Sequence, residues 1–295
     1  MKTDNGRVSG IAAPSQFPEQ HQDRQPGSQK KMIPEPLTIE NDYRGSKKME
    51  GLTAVITGGD SGIGQAVAAA FAREGADVVV TCYGEPEDVK KTVHLVEAAG
   101  RRCSVVECDL RVESSAARVV DRAIHDFSRL DVLVNNIAVQ YPQDSIEKIT
   151  GEQLRNTFET NVYSCFFMTK AALPHLREGA SIINTASVTA YQGSKTLLDY
   201  SSTKGAIVSF TRSLASSLVS KGIRVNAVAP GPVWTPLIVS SYPKEKVGKF
   251  GQDVPMGRAA QPAELAPAYV YLASGDSSYV TGQVIHVNGG VITGS

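Results

Sequence analysis

From Gly51 onward the chain repeats one pattern: a short apolar, β-branched run, a turn, and then a helical stretch. The first run, Leu52–Thr57, ends in glycines and leads into an Ala-rich helical pattern from Ile63 to Glu74. Further strands read at Asp77–Tyr83, Cys103–Cys108, Asp131–Asn135, Ser181–Thr185, Ile223–Ala229 and Val284–Val287. Helical stretches separate them at Glu87–Gly100, Ser114–Ser128, 152–177, 198–220 and 262–273. Such alternation requires parallel pairing through right-handed crossovers, hence a doubly wound α/β sheet. The unbroken run Val78-Val79-Val80 fits a strand covered on both faces. Residues 50–295 read as one domain with no internal linker.

Residues 1–49 have a different texture. Pro14, Pro18, Pro26, Pro34 and Pro36 stand among Gln16, Gln20, Gln22, Gln25 and Gln29, without aliphatic periodicity. Such a segment cannot build its own core. It reads either as a floppy tail or as an extended arm laid along a partner subunit, serving assembly or stability rather than chemistry.

Composition narrows the function classes. At 295 residues and 41% hydrophobic, the chain is long enough to bury a large core. Thirty basic side chains balance thirty acidic ones, so no net positive field draws nucleic acid or an anionic membrane. Cys82, Cys103, Cys108 and Cys165 form no CxxC pair, and no leader-like segment precedes them. They read as reduced thiols of a soluble, cytoplasmic protein. The five histidines have no HxxxH or comparable spacing, so no metal site is expected.

Two constellations carry chemistry. In Thr57-Gly58-Gly59-Asp60-Ser61-Gly62-Ile63-Gly64, glycines join strand to helix. They let the backbone turn sharply and approach a pyrophosphate, and the helix N-terminus supplies amide donors. The bland alternative is a plain tight turn. Tyr200 and Lys204 stand one helical turn apart, on one face. A cation there would lower the phenol from its ordinary value near 10 by roughly 1–3 units, making a general acid/base. The alternative is a surface pair. Ser187 lies just past the carboxyl end of the strand Ser181–Thr185, where doubly wound folds bind ligands, and can bond a substrate oxygen.

On these residues the chain resembles the single-domain branch of the short-chain dehydrogenase/reductase family, over roughly residues 50–291. Thr57–Gly64 matches the family's TGxxxGxG loop, and Tyr200-x-x-x-Lys204 its YxxxK signature, with Ser187 thirteen residues earlier. Asn161 matches the asparagine of the family tetrad, Asp109 the acid at the adenine, and Pro230-Gly231 the turn below the nicotinamide. The long N-terminal arm, TGGDSGIG and Gly231-Pro-Val-Trp-Thr-Pro236 look like a bacterial subgroup labelled general stress protein-like or glucose/ribitol dehydrogenase-like. One departure stands out: Asn135-Asn136-Ile137-Ala138 replaces the usual NNAG, adding bulk at Ile137.

The resemblance implies a Rossmann-type fold and hydride transfer between NAD(P) and an alcohol, polyol, aldehyde or ketone. Tyr200 would be the general acid/base and Ser187 would orient the substrate oxygen. Lys204 would also hold the nicotinamide ribose, and Asn161 would position a water. Cofactor contacts are implied at Gly58, Asp60, Ser61, Gly62, Ile63, Gly64, Tyr83, Asp109, Leu110, Asn136, Tyr200, Lys204, Pro230, Gly231, Val233 and Thr235. A substrate lid is implied at about 235–258, with Val188, Gln140, Tyr141, Trp234 and Leu237 lining the pocket. Self-association as a homotetramer, with Val284–Gly290 near an interface, is also implied. For cofactor choice, neither a carboxylate nor an arginine stands at Cys82, where the second strand ends. Asp60 and Glu85 would repel a 2′-phosphate, and no Arg or Lys occupies either place, so the sequence leans to NAD(H) with NADP(H) open. The rival from another class is a non-catalytic dinucleotide-binding redox sensor. Retention of Asn161, Ser187, Tyr200 and Lys204 weighs against it. A dehydratase or epimerase of the extended branch would instead carry TGxxGxxG and a longer C-terminal domain.

Overall fold

The computed structural model describes residues 11, 13–40, 42–84 and 86–294. Its centre is a parallel sheet of seven strands in the order β3-β2-β1-β4-β5-β6-β7. These are β1 (Thr53–Ile56), β2 (Asp77–Cys82), β3 (Cys103–Glu107), β4 (Val132–Asn135), β5 (Ser181–Thr185), β6 (Arg224–Pro230) and β7 (Val284–Val287). The doubly wound α/β sheet is thus the one expected, and the chain reverses its direction of travel between β1 and β4.

Both faces of the sheet are covered, and the period-2 alternation of a strand decides which side chain goes where. Ile56, Val134 and Ile183 pack with Phe71 of α1 (Gly62–Arg73) and with Leu265 and Tyr269 of a late helix, Pro262–Ala273. The intervening residues Val55, Leu133 and Ile182 point the other way, against Val119 of helix Glu113–Phe127, Met168 and Leu218. Counting in chain order, Pro86–Ala98 is α2 and Glu113–Phe127 is α3.

The stretch read as one helix over 152–177 is broken. It consists of α4 (Gly151–Phe158), one turn of π-helix at Glu159–Tyr163, and α5 (Ser164–Ala172). A short 3₁₀ turn, Leu173–His175, follows, with Pro174 inside it. A π turn inserts extra backbone and is frequent at functional sites; here it holds Asn161. After β5 come α6 (Thr189–Gln192) and α7 (Leu198–Leu218). After β6 come α8 (Pro236–Val239), α9 (Lys244–Gly248) and α10 (Pro262–Ala273).

Over its described residues the N-terminal arm is not the floppy tail of one reading. It lies along its own domain. The Phe17 ring stacks on Trp234 with centroids 3.7 Å apart, and Met32 and Gln29 are buried. Backbone amides of Phe17 and Gln22 donate to the carbonyls of Gly248 and Val239. Periodicity could not reveal this, because the anchors are isolated side chains that fill notches in a surface formed elsewhere. Residues 1–10 of the arm lie outside the described residues.

Candidate active site

A cleft of about 780 Å³ opens at the carboxyl ends of the strands, where the chain connections leave the paired strands β1 and β4 in opposite directions. This is the ligand-binding position of doubly wound sheets. Its wall includes Gly58, Asp60, Ser61, Gly62 and Ile63 from the first turn, and Tyr83, Asp109 and Leu110 from beyond β2 and β3. Asn136, Ser187, Tyr200, Lys204, Pro230, Gly231, Val233 and Thr235 complete the expected set. Gly64 and Asn161, also expected, do not line it.

Gly64 has a different task. A Cβ there would stand 1.9 Å from the Gly58 carbonyl oxygen, so only glycine lets α1 start directly beneath the loop. Gly58 adopts φ +63, and its added Cβ would meet Ile137 Cγ2 at 2.9 Å. The bulk of Ile137 therefore packs onto the bare face of Gly58. Together these positions make a bare backbone cradle at a helix N-terminus, which suits the pyrophosphate of a dinucleotide. Asn136 fixes the cradle across strands: its amide N–H donates to Thr57 Oγ1 at 2.8 Å and its Nδ2 to the Thr57 carbonyl at 3.1 Å. Asp109 is gripped by Arg111, whose Nη2 reaches Oδ2 at 2.6 Å. That hydrogen bond holds the carboxyl below its ordinary range.

Tyr200 and Lys204 stand on the inner face of α7, 8% and 1% exposed, with Ser187 at 7% just past β5. Lys204 Nζ donates to the Thr185 carbonyl at 2.7 Å and lies 5.5 Å from the Tyr200 ring centroid. Burial pulls the Lys204 ammonium down to about 8. Burial likewise pushes the Tyr200 phenol above its ordinary value, against the opposing pull of the Ser187 hydroxyl. The expected lowering of Tyr200 by Lys204 is therefore not found: burial raises the phenol, and Lys204 Nζ is turned to the Thr185 carbonyl.

Asn161, fully buried in the π turn, works on backbone. Its Nδ2 donates to the Val139 carbonyl at 3.0 Å and to Thr203 Oγ1 at 3.1 Å, and its Oδ1 accepts from the Val139 amide at 2.8 Å. It thereby joins the loop after β4 to α7.

Val188, Gln140, Tyr141 and Leu237 line the cleft as expected, but Trp234 does not. Trp234 is fully buried between Phe17 and the domain, its Nε1 donating to the Pro34 carbonyl at 2.9 Å. The segment 235–258 does border the cleft through Leu237, Tyr242 and Phe250.

Sequence reasoning missed the arm altogether as part of the site. Gln25, Pro26 and Gly27 lie in the cleft wall. Arg24 Nη2 donates to the Gly84 carbonyl at 3.4 Å, so a cation does stand near the end of β2, brought from far upstream. The lean to NAD(H) rested on the absence of Arg or Lys at the Asp60 and Glu85 positions and did not weigh this cation from upstream. Glu85, the other half of that premise, lies outside the described residues.

Comparison with known proteins agrees with this geometry. A family model described as "Enoyl-(Acyl carrier protein) reductase" matches residues 58–292. The chain is 59% identical to an uncharacterized oxidoreductase, YhdF, of Bacillus subtilis, over 92% of this chain and 94% of that protein. It is 49% identical to the glucose and ribitol dehydrogenase of Daucus carota, over 96% and 99% respectively. A short-chain dehydrogenase from Burkholderia cenocepacia, solved in complex with NADP, superposes with a TM-score of 0.78 at 28% identity, covering 82% of this chain and 98% of that one. With a glycine cradle, a Ser187–Tyr200–Lys204 cluster and these relatives, the chain belongs to the short-chain dehydrogenase/reductase family of nicotinamide-dependent oxidoreductases.

Proposed function

We propose that the chain oxidises an alcohol or reduces a carbonyl with NAD or NADP, using Tyr200 as general acid/base. The observation that carries this is the convergence of Ser187, Tyr200 and Lys204 on the same cleft as the glycine cradle. When bound, the nicotinamide supplies or accepts the hydride at the substrate carbon. Everything else falls to the chain. The cradle Gly58–Gly62 and Asn136 hold the dinucleotide, and Ser187 Oγ bonds the substrate oxygen. Tyr200 Oη gives that oxygen a proton in reduction and removes it in oxidation. Lys204 provides positive charge beside the phenol, and Asn161 keeps Val139 and α7 in register.

The buried phenol also makes a protonated Tyr200 the resting form, which suits it to act as the acid in carbonyl reduction. Arg24 beside Gly84 supports use of NADP(H) as well as NAD(H), since a guanidinium there answers a 2′-phosphate. For assembly we propose a homotetramer. Tyr163 and Phe166 on the α5 side are each 49% exposed, and the Phe166 ring lies tilted by 31° against that of Phe210 of α7 with centroids 4.1 Å apart, an apolar face that a second copy would cover. We place the protein in the cytoplasm, where its four free cysteines stay reduced. Among the described residues no helix is long and apolar enough to cross a membrane.

The test is a screen of alcohols, polyols, aldehydes and ketones with each cofactor, followed by nicotinamide absorbance. Turnover that disappears in Tyr200→Phe supports the reading. Cofactor binding without turnover of any substrate would favour the redox-sensor alternative.

A further inference from the structure

We propose that Lys246 and Lys249 form an anion-binding end of the substrate pocket, so that the carbonyl or alcohol reacting at Tyr200 belongs to a molecule with a carboxylate or phosphate at its far end. The proposal deepens the oxidoreductase reading above and rests on it.

Charge is sorted along the segment that borders the cleft. Of its charged residues Lys244, Glu245, Lys246, Lys249, Asp253 and Arg258, only Lys246, Lys249 and Asp253 line the cleft wall. Arg258 is held by Glu264, its Nη2 donating to Oε1 at 2.7 Å. Glu19 of the arm, whose Cγ lies beside Gly248, is not in the wall either. Two ammonium groups therefore face the cleft here against one carboxylate. Asp253 attracts Lys246, yet among the described residues neither lysine is in an ion pair. Lys195, in the loop ahead of α7, is a further cation near enough to repel Lys246, and its neighbour Ser194 lines the cleft. Cations gathered in this way repel one another, and an anion bound among them relieves the repulsion.

The site is also tied to the reacting centre. Lys246 Nζ stands over the ring of Tyr242, 4.0 Å from its centroid. That contact steadies the head of an otherwise flexible side chain. Tyr242 is 6% exposed, lines the cleft and shares an apolar cluster with Tyr200, close enough to oppose ionisation of the Tyr200 phenol. Lys246 is thus one aromatic ring removed from the general acid/base. Lys249 follows by three residues, its amide donating to the Lys246 carbonyl at 3.2 Å. The cradle Gly58–Gly62 already answers the phosphates of the dinucleotide, whereas Lys246 is reached from Tyr200 through Tyr242, so the anion it meets is the substrate's.

An ammonium is a compact point charge with no planar demand, and it serves a carboxylate or a phosphate. In the reducing direction the carbonyl carbon gains a hydride and its oxygen a proton from Tyr200, while the reduced nicotinamide is oxidised. The anionic group is unchanged.

The experiment uses the full-length protein and two pairs of aldehydes that differ in charge: 4-carboxybenzaldehyde with benzaldehyde, and glyceraldehyde 3-phosphate with glyceraldehyde. The wild type is expected to favour the charged member of at least one pair in kcat/KM by about tenfold or more, and to lose that preference as ionic strength rises. The pair with the larger ratio tells carboxylate from phosphate. Lys246→Met combined with Lys249→Met keeps both stems and removes both charges. Its kcat/KM for the charged aldehyde should fall about tenfold further than for the uncharged one, chiefly through KM. Lys246→Arg keeps the charge and should retain the preference. A second readout needs no turnover: with reduced cofactor bound, 4-(hydroxymethyl)benzoate should bind about tenfold more tightly than benzyl alcohol, and equally in the double methionine variant.

A wild type that treats both members of each pair alike would overturn the proposal. So would a preference that survives in the double methionine variant, or a loss in that variant matched by an equal loss of cofactor affinity, which would assign the lysines to the dinucleotide. Absence of turnover with every aldehyde would sink the underlying oxidoreductase reading, while the binding comparison still decides the anion site.

Discussion

The side chain of Gln29 accepts the amide hydrogen of Gly62, the first residue of α1, at 2.7 Å. Gln29 is 1% exposed, and its Nε2 donates to Gln65 Oε1 at 2.6 Å. Gln65 in turn donates to the Asp60 carbonyl at 2.8 Å. A residue thirty-three positions upstream of the glycine loop is therefore bonded into it. The arm is part of what shapes the cofactor cradle, where the sequence alone had given it a role in assembly or stability rather than chemistry.

Replacing Gln29 by leucine leaves the Gly62 amide without its partner and Gln65 Oε1 with only the Thr38 hydroxyl as donor, in a buried setting. Each such loss costs about 1–3 kcal/mol. We expect a lower melting temperature and dinucleotide affinity reduced by about tenfold or more, measured calorimetrically. Unchanged affinity in the folded variant would show that the cradle keeps its shape without the arm.

Tyr200→Phe removes one oxygen from α7 and nothing from the cradle at Gly58–Gly62. Turnover should fall by about 10²–10⁴-fold, the usual contribution of a general acid/base. Cofactor affinity should remain within about threefold of wild type. Near wild-type turnover would remove Tyr200 from the proton-transfer role.

The pH dependence follows from two burial effects. Burial raises the Tyr200 phenol, so it stays protonated through the physiological range. Alcohol oxidation needs the phenolate and should therefore climb with pH. Burial lowers Lys204 to about 8, so it is charged below that value and neutral above it. Carbonyl reduction, which needs a neutral phenol beside the ammonium, should be level below about pH 8 in kcat/KM and decline above it. The break should vanish in Lys204→Met. A decline at the same pH in that variant would assign the titration to another group.

How far the chain could be read follows from where each signal is stored. β1 to α1 was legible because Leu52–Thr57 and Gly58–Gly64 are contiguous and each residue type answers to local backbone geometry. Tyr200 and Lys204 were legible because one helical turn fixes their relation. The break at Glu159–Tyr163 was not, since no local propensity marks a π turn and the contact its Asn161 makes, with Val139, spans 22 positions. The shift of Tyr200 was read with the wrong sign. The spacing shows the cation but not the burial, and burial dominates. Gln25 in the cleft wall, and Gln29 and Arg24 bonded behind it, were invisible for the same reason: their partners Gln140, Gly62 and Gly84 are 115, 33 and 60 positions away.

Trp234 offers a direct readout of arm docking. Its ring is stacked on Phe17 at an interplanar angle of 2°, and both residues belong to one apolar cluster with Met32, Val239 and Tyr242. Phe17→Ala empties that contact. Truncating a fully buried phenylalanine costs about 3–5 kcal/mol in a core. Here the loss falls on an arm that lies on the outside of the domain and supplies no strand to its sheet, so the arm should release before the domain unfolds. The only tryptophan of the chain would then meet water, and its emission should shift to the red while far-ultraviolet dichroism is retained. The carbonyls of Gly248 and Val239 lose their arm partners in the same event, so residues 235–258 should become accessible to protease together with residues 17–36. A red shift without new cleavage in 235–258 would mean that α8 and α9 hold their places unaided, and that the arm rests on that segment without restraining it.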